Sequence, residues 1–186
     1  MSTTDVQNDA RDHMGKAVKS LSHEFSTVRT GRATGAVLDD IKVDYYGTPT
    51  PISQIAGVKS PDPHMLMVEP WDKTALKAIE HAIMASDLGI TPSNDGSVIR
   101  LPFPPLTEER RRDLVKQCKH YAEEAKVAVR NIRRDANAKL ARAEKDAEIS
   151  EDDLRRAEAE VQKLTDAHIA QIDEALKRKE AEVMEV

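Results

Sequence analysis

The sequence predicts an α+β protein: an elongated three-helix bundle with a small α+β domain inserted between its first and second helices. Three observations lead there. Residues 106–146 contain neither Gly nor Pro, so nothing in the stretch breaks a helix. At 1.5 Å per residue such a helix runs about 60 Å, too long for the interior of a small globule. All nine prolines and six of the seven glycines fall instead between residues 31 and 105, which is the texture of short strands and turns. The composition, 33% charged and 3% aromatic, is that of long helices around a thin core.

The long helix is the rod on which the others lie. Leu114, Cys118, Tyr121, Ala125, Ala128 and Ile132 recur at heptad spacing, an apolar seam for partner helices. A second stripe, about 100° of turn per residue apart, holds Arg112, Lys116, Lys119, Lys126, Arg130, Arg133, Arg134 and Asn137, interrupted by Glu123. Asp113, Glu124 and Asp135 project elsewhere. One face therefore meets helices and one basic face meets something else.

The first helix runs from about Thr4 to Arg29, with Val6, Ala10, Met14, Ala17, Leu21, Phe25 and Val28 at steps of three or four. Gly31 supplies the left-handed cap that ends it. In the insert, Ile41 to Tyr46 alternates and reads as a strand. Gly47-Thr48-Pro49 is turn chemistry, Ile52 to Val58 returns as a strand, and His64 to Glu69 is another. Thr74 to Ser86 is a helix with Leu76, Ile79, Ile83 and Met84 inward. Asn94-Asp95-Gly96 turns into an edge strand at Val98 to Leu101. After a corner at Ala147-Glu148-Ile149, Ser150 caps a third helix from Glu151 to Met184. Its apolar line is Leu154, Ala157, Val161, Leu164, His168 or Ile169, Ile172, Leu176 and Val183, with Asp173 and Lys177 paired on the outside.

The predicted domains are 1–30 plus 105–186 for the bundle and 31–104 for the insert. The insert leaves and re-enters through Thr30, Gly31 and Arg32 on one side and Pro102, Pro104 and Pro105 on the other. Two short connections of this kind make a hinge on which the insert swings as a body.

The net charge of −5 hides an uneven distribution. Residues 106–146 carry twelve basic and eight acidic side chains, whereas 147–186 carry six and twelve. A locally basic face on an acidic protein points to a structured polyanion held at a defined place. The single cysteine, Cys118, excludes an internal disulfide. No apolar run approaches a membrane span, and the N-terminus has neither a signal-peptide core nor an Arg-rich transit composition. A soluble cytoplasmic monomer without membrane association is expected.

Catalytic chemistry has no foothold. The six histidines show no ligand spacing, so no metal is expected. Gly31-Arg32-Ala33-Thr34-Gly35 lacks the Lys-Ser/Thr of a P-loop, and a seam Cys118 is no nucleophile. No catalytic residue and no cofactor is assigned. The basic stripe is the positive signal. Its competing reading is a solvated face balanced by nearby acids. Against that, Arg130, Arg133 and Arg134 fall on successive turns with Asn137 one turn on. Guanidinium forks suit phosphate, and a straight rigid helix suits folded RNA.

Five motifs carry a family resemblance: Arg29-Thr30-Gly31-Arg32-Ala33, Tyr45 to Pro51 (YYGTPTP), Ala82 to Gly89 (AIMASDLG), Pro104 to Arg111 (PPLTEERR) and Val127 to Asn137 (VAVRNIRRDAN). In this order they resemble the bacterial ribosome recycling factors over essentially the whole chain. The resemblance implies an L-shaped protein, similar in outline to tRNA, whose small domain is β/α/β. It implies binding at the subunit interface of the post-termination ribosome, mainly on large-subunit ribosomal RNA. Elongation factor G with GTP then helps part the subunits. By motif position Arg133 matches the principal RNA-contacting arginine and Arg130 another in the same motif, with Arg29 and Arg32 flanking the joint as further contacts.

Overall fold

The computed structural model describes residues 1–185. They form four helices, α1 (Thr3–Thr27), α2 (Leu76–Ala85), α3 (Glu108–Lys145) and α4 (Glu151–Met184), and six strands. The strands are β1 (Lys42–Tyr45), β2 (Thr48–Pro51), β3 (Ala56–Asp62), β4 (Met65–Pro70), β5 (Ser93–Asn94) and β6 (Ile99–Pro102). The chain divides into two compact units. One comprises Met1–Phe25 with Lys116–Glu180, the other residues 26–115 with the segment from Ala181 onward.

The first unit is helical, and its core is set by an eleven-residue repeat. On α3 the buried side chains Cys118, Ala122, Ala125, Val129, Ala136 and Leu140 place Cys118, Val129 and Leu140 eleven residues apart, and likewise Ala125 and Ala136. On α4 the same interval relates Ala157 to His168 and Val161 to Ile172; on α1 it relates Ala10 to Leu21 and Met14 to Phe25. Eleven residues in three turns is 3.67 per turn, close to a straight α-helix, whereas a strict heptad requires a left-handed supercoil. The heptad expected from Tyr121 and Ala128 is therefore corrected: the inward positions are Ala122 and Val129. The sequence offers apolar residues in both phases, and packing selects one. On α4, His168 is inward with Thr165, and Leu164 is only half-buried. The hydroxyl of Thr165 satisfies itself on the Val161 carbonyl at 2.8 Å, which lets a polar side chain sit in the core.

Helix ends follow local chemistry. Ser2 and Asp5 exchange bonds, the Asp5 amide donating to Ser2 Oγ at 3.1 Å and the Ser2 amide to Asp5 Oδ2 at 3.0 Å, a capping box at the start of α1. Thr107 caps α3 by accepting from the Arg110 amide at 3.1 Å, and Ser150 caps α4 by accepting from the Asp153 amide at 3.0 Å. The expected corner after α3 is a Schellman turn: the Glu148 amide donates to the Ala143 carbonyl and the Ala147 amide to the Glu144 carbonyl, each at 2.9 Å. Ala147 takes the left-handed position with φ 59°, where glycine is usual.

The second unit packs α2 and two sheets around Val43, Ile52, Leu66, Val68, Ile79, Ile83, Ile99, Leu101 and Phe103. β1 and β2 form a hairpin; the other sheet is antiparallel in the order β3-β4-β6-β5. Leu66 faces Leu101 and Val68 faces Ile99 across β4 and β6, so one face of the sheet is uniformly apolar. Four expectations change here. Met84, expected inward on α2 with Leu76, Ile79 and Ile83, is 60% exposed. The return strand of the first hairpin is Thr48–Pro51, with the turn at Tyr46-Gly47, not a strand from Ile52. β6 is internal, because the two-residue β5 covers its far side. Gly31 does not take the left-handed conformation; α1 already ends at Thr27.

Candidate nucleic-acid interface

α3 carries the basic stripe along one flank of its buried seam. Within the helical unit, Lys126 is drawn off it. Its side chain is only 19% exposed and its ammonium lies 2.5 Å from Asp173 on α4. This corrects two expectations, since Lys126 is not an open cation and Asp173 pairs across helices instead of with Lys177. One and two turns further on, the helix leaves its arginines open. Arg130 is half-buried and its Nη1 stands 3.4 Å from Glu123, two turns back. Arg134 is exposed and donates to the Asn131 amide oxygen at 3.2 Å. Arg133 is half-buried and forms no ion pair or hydrogen bond among the described residues. Asp135, the nearest acid in sequence, lines the opposite flank with Ile132, Ala136 and residues of α1, so it does not neutralise these arginines. Val127, 46% exposed, completes the ridge. Asn137 lies one turn beyond, but its Oδ1 is buried and unpartnered among the described residues.

The resulting edge is a row of guanidiniums on successive turns of a rigid helix, of which Arg133 and Arg134 form no ion pair among the described residues and Arg133 no hydrogen bond either. Such an edge can grip phosphate oxygens without reorganising. Among the described residues no group of three His, Cys, Asp or Glu side chains could hold a metal ion, and no helix is long and apolar enough to cross a membrane.

The other expected residues belong to the second unit. Both joint segments are tied to the turn between β3 and β4. The Ala33 amide donates to the Pro63 carbonyl and the Phe103 amide to the His64 carbonyl, each at 2.7 Å. Arg29 then clamps one segment to the other. Its Nη2 donates to the Pro104 carbonyl, and its guanidinium lies over the Phe103 ring, 5.4 Å from the centroid. Burial, with the Arg110 charge second, pulls its pKa below the ordinary arginine value. Its Nε is buried without a partner among the described residues. Arg29 is thus engaged within its own unit, whereas Arg32 is exposed, with Thr30 and Gly31 half-buried beside it. Pro102 lies inside β6, in register with Met65, so the unpaired proline connection starts at Pro104. The reading of residues alone missed the Arg29–Phe103 contact. Its signal was present: Phe103 is the one large apolar residue among three prolines.

Comparison with known proteins agrees with this geometry. Residues 21–184 match the family described as ribosome recycling factor. The ribosome-recycling factor of Geobacillus thermodenitrificans is 60% identical over 181 residues, covering 97% of this chain and 98% of that protein. That of Nitratidesulfovibrio vulgaris is 57% identical over 178 residues, covering 96% of each. Among solved structures, a ribosome recycling factor in solution superposes with a TM-score of 0.77 at 41% identity, covering 100% of this chain and 99% of that one. A T. thermophilus ribosome recycling factor, described with elongation factor G on a post-termination complex, gives 0.67 at 49% identity with full coverage of both chains. With a helical edge of arginines, a small β-containing unit and relatives matched from end to end, the chain belongs to the ribosome recycling factor family.

Proposed function

We propose that the protein disassembles post-termination ribosomes into subunits, binding at the subunit interface and acting with elongation factor G and GTP. The observation that carries this is the α3 edge, where Arg133 stands without a counter-charge between Arg130 and Arg134. Family membership and a relative described with elongation factor G on the post-termination complex support it. In this reading Arg130, Arg133 and Arg134 hold phosphates of large-subunit ribosomal RNA. Asn137 sets the end of the contact, and Arg32 adds a cation at the joint. Arg29 touches RNA only secondarily, since its guanidinium is already occupied.

No covalent step belongs to this protein. The bundle, 1–30 with 105–186, holds position. The body 31–104 swings on Thr30 to Arg32 and on Pro104 and Pro105, Pro102 being held in β6. Energy for parting the subunits comes from GTP hydrolysis by the partner factor, and this chain converts a push into displacement. The protein acts in the cytoplasm, where its substrate is. The test is light scattering of post-termination ribosomes. Addition of the protein with elongation factor G and GTP should lower the signal as subunits separate, and omission of any one should abolish the drop. Splitting that proceeds equally without the protein would end the proposal.

A further inference from the structure

We propose that Asp95-Gly96 is a latent self-modification site: when the turn between β5 and β6 opens, the Gly96 amide nitrogen attacks the Asp95 carboxyl to give an isoaspartyl linkage, and the folded turn holds that reaction shut. The chemistry favours an aspartate followed by a residue with no Cβ to hinder the attack. Of the seven glycines only Gly96 follows an Asp or an Asn. The step lies between the end of β5 at Asn94 and the start of β6 at Ile99. Residues 93–97 are exposed, and a Cβ placed on Gly96 would meet nothing within 4 Å, so ring closure and water both have room. The reaction involves no ribosome and stands apart from the function proposed above.

The step balances with water alone. The Gly96 nitrogen bonds to Asp95 Cγ, and its proton leaves with a carboxyl hydroxyl as one water. The cyclic imide that results is opened by one water at either carbonyl. Cleavage of the nitrogen–Cγ bond restores aspartate. Cleavage of the bond to the Asp95 main-chain carbonyl routes the chain through Cβ and Cγ and leaves that carbonyl carbon as a free carboxylate. Nothing is oxidised or reduced. The main chain gains one methylene, which destroys the register that sets Asn94 opposite Ile99 and Ser93 opposite Arg100. β5 is only two residues long and has no further pairs to hold it, so β6 loses the neighbour on its far side.

Each reacting group is held in the folded turn. Asp95 Oδ1 accepts from the Ser97 amide at 3.0 Å and the Val98 amide at 2.9 Å. Its Oδ2 accepts from Arg100 Nη1 at 3.1 Å. Turning the carboxyl toward the Gly96 nitrogen breaks these bonds. The leaving hydroxyl must come from a neutral carboxyl, yet the Val98 and Ser97 amides, and then Arg100, hold Asp95 below the ordinary carboxylate value. The nucleophile is held as well. The Gly96 amide donates to Asn94 Oδ1 at 3.1 Å, and Asn94 Nδ2 donates to Glu80, which ties the turn to α2. The Asp95 amide closes the turn on the Val98 carbonyl at 3.3 Å. Reaction proceeds only from the minority of molecules in which this turn has opened.

The test incubates the full-length protein at neutral pH, folded and in guanidinium chloride. Isoaspartate at residue 95 is followed by electron-transfer mass spectrometry of proteolytic fragments spanning the turn. The denatured chain should convert, and the folded chain at least about thirty-fold more slowly, because it must first open. Arg100→Met frees Oδ2, and Asn94→Ala frees the Gly96 amide. Each should speed conversion of the folded chain about two- to five-fold and leave the denatured rate nearly unchanged. Circular dichroism checks that each variant is folded. Absence of isoaspartate from the denatured chain overturns the proposal, as do equal rates in the folded and denatured chains, or a folded variant that converts no faster than the parent. Should a variant fail to fold, the two parent rates decide alone.

Discussion

Replacing Arg29 by Met separates a structural clamp from an RNA ligand. Methionine keeps an aliphatic stem over Phe103 and removes the charge. The loss is a charge-assisted hydrogen bond to the Pro104 carbonyl, about 1.5–3 kcal/mol, and a cation–π contact at 5.4 Å, about 0.5–2 kcal/mol. Against this stand the buried, unpartnered Nε and the repulsion from Arg110, both of which the substitution relieves. The net destabilisation should be about 1–2 kcal/mol, a fall in Tm of roughly 2–8 °C for a chain of this size. Calorimetry measures it. Hydrogen exchange locates it: the amides of Ala33 and Phe103, which donate to Pro63 and His64, should exchange faster, whereas those of the α3 seam should not. Arg29→Lys should restore only part of the loss, because a point charge cannot both stack and reach. Ribosome affinity should fall less than for Arg133→Ala. An unchanged Tm and unchanged exchange, with affinity down tenfold or more, would refute the clamp and make Arg29 an RNA ligand.

Three further outcomes follow from the same geometry. Ala147→Gly should stabilise the protein by about 0.5–1 kcal/mol in denaturant titration, since glycine relieves the left-handed φ of 59° and gives back part of the gain as unfolded-chain entropy. Lys126→Ala should cost about 0.5–1 kcal/mol by breaking its pair with Asp173, whose side chain is 57% exposed. The double variant with Asp173→Ala should cost less than the two single costs combined, in the same titration. For Asp72 the carboxyl is held below 3.8 by its Thr74 and tyrosine donors. Its contribution is therefore present above pH 3.8 and is lost as pH falls through the lower folded value. Acid unfolding should accordingly flatten in Asp72→Asn.

Much of the fold was legible because the long helices leave little choice. A Gly- and Pro-free stretch with caps at Thr107 and Ser150 can only be helical, and the arginines of α3 lie where a turn of 100° per residue puts them. The heptad misled because Tyr121 and Ala122, like Ala128 and Val129, are apolar neighbours. Periodicity alone cannot choose between 3.5 and 3.67 residues per turn when both phases are filled. Gly31 misled for a different reason. Glycine permits a left-handed cap without requiring one, and α1 had already stopped four residues earlier. Pro102 and the supposed edge strand failed together: β5 is two residues long, too short to leave a pattern, yet it makes β6 internal. The roles of Arg29 and Lys126 depend on Phe103, Pro104 and Asp173, which are distant in sequence.

The central claim is that the uncommitted guanidinium on α3 holds ribosomal RNA. Co-sedimentation of Arg133→Ala with post-termination ribosomes across a potassium chloride series tests it most directly. Loss of one charge-assisted contact should weaken binding about ten- to a hundred-fold and lower the salt slope by about 0.7–0.9. Tm should stay nearly unchanged, because Arg133 has no partner among the described residues. Affinity and salt slope equal to those of the parent protein would contradict the account, as would a loss of binding that merely follows a large drop in Tm.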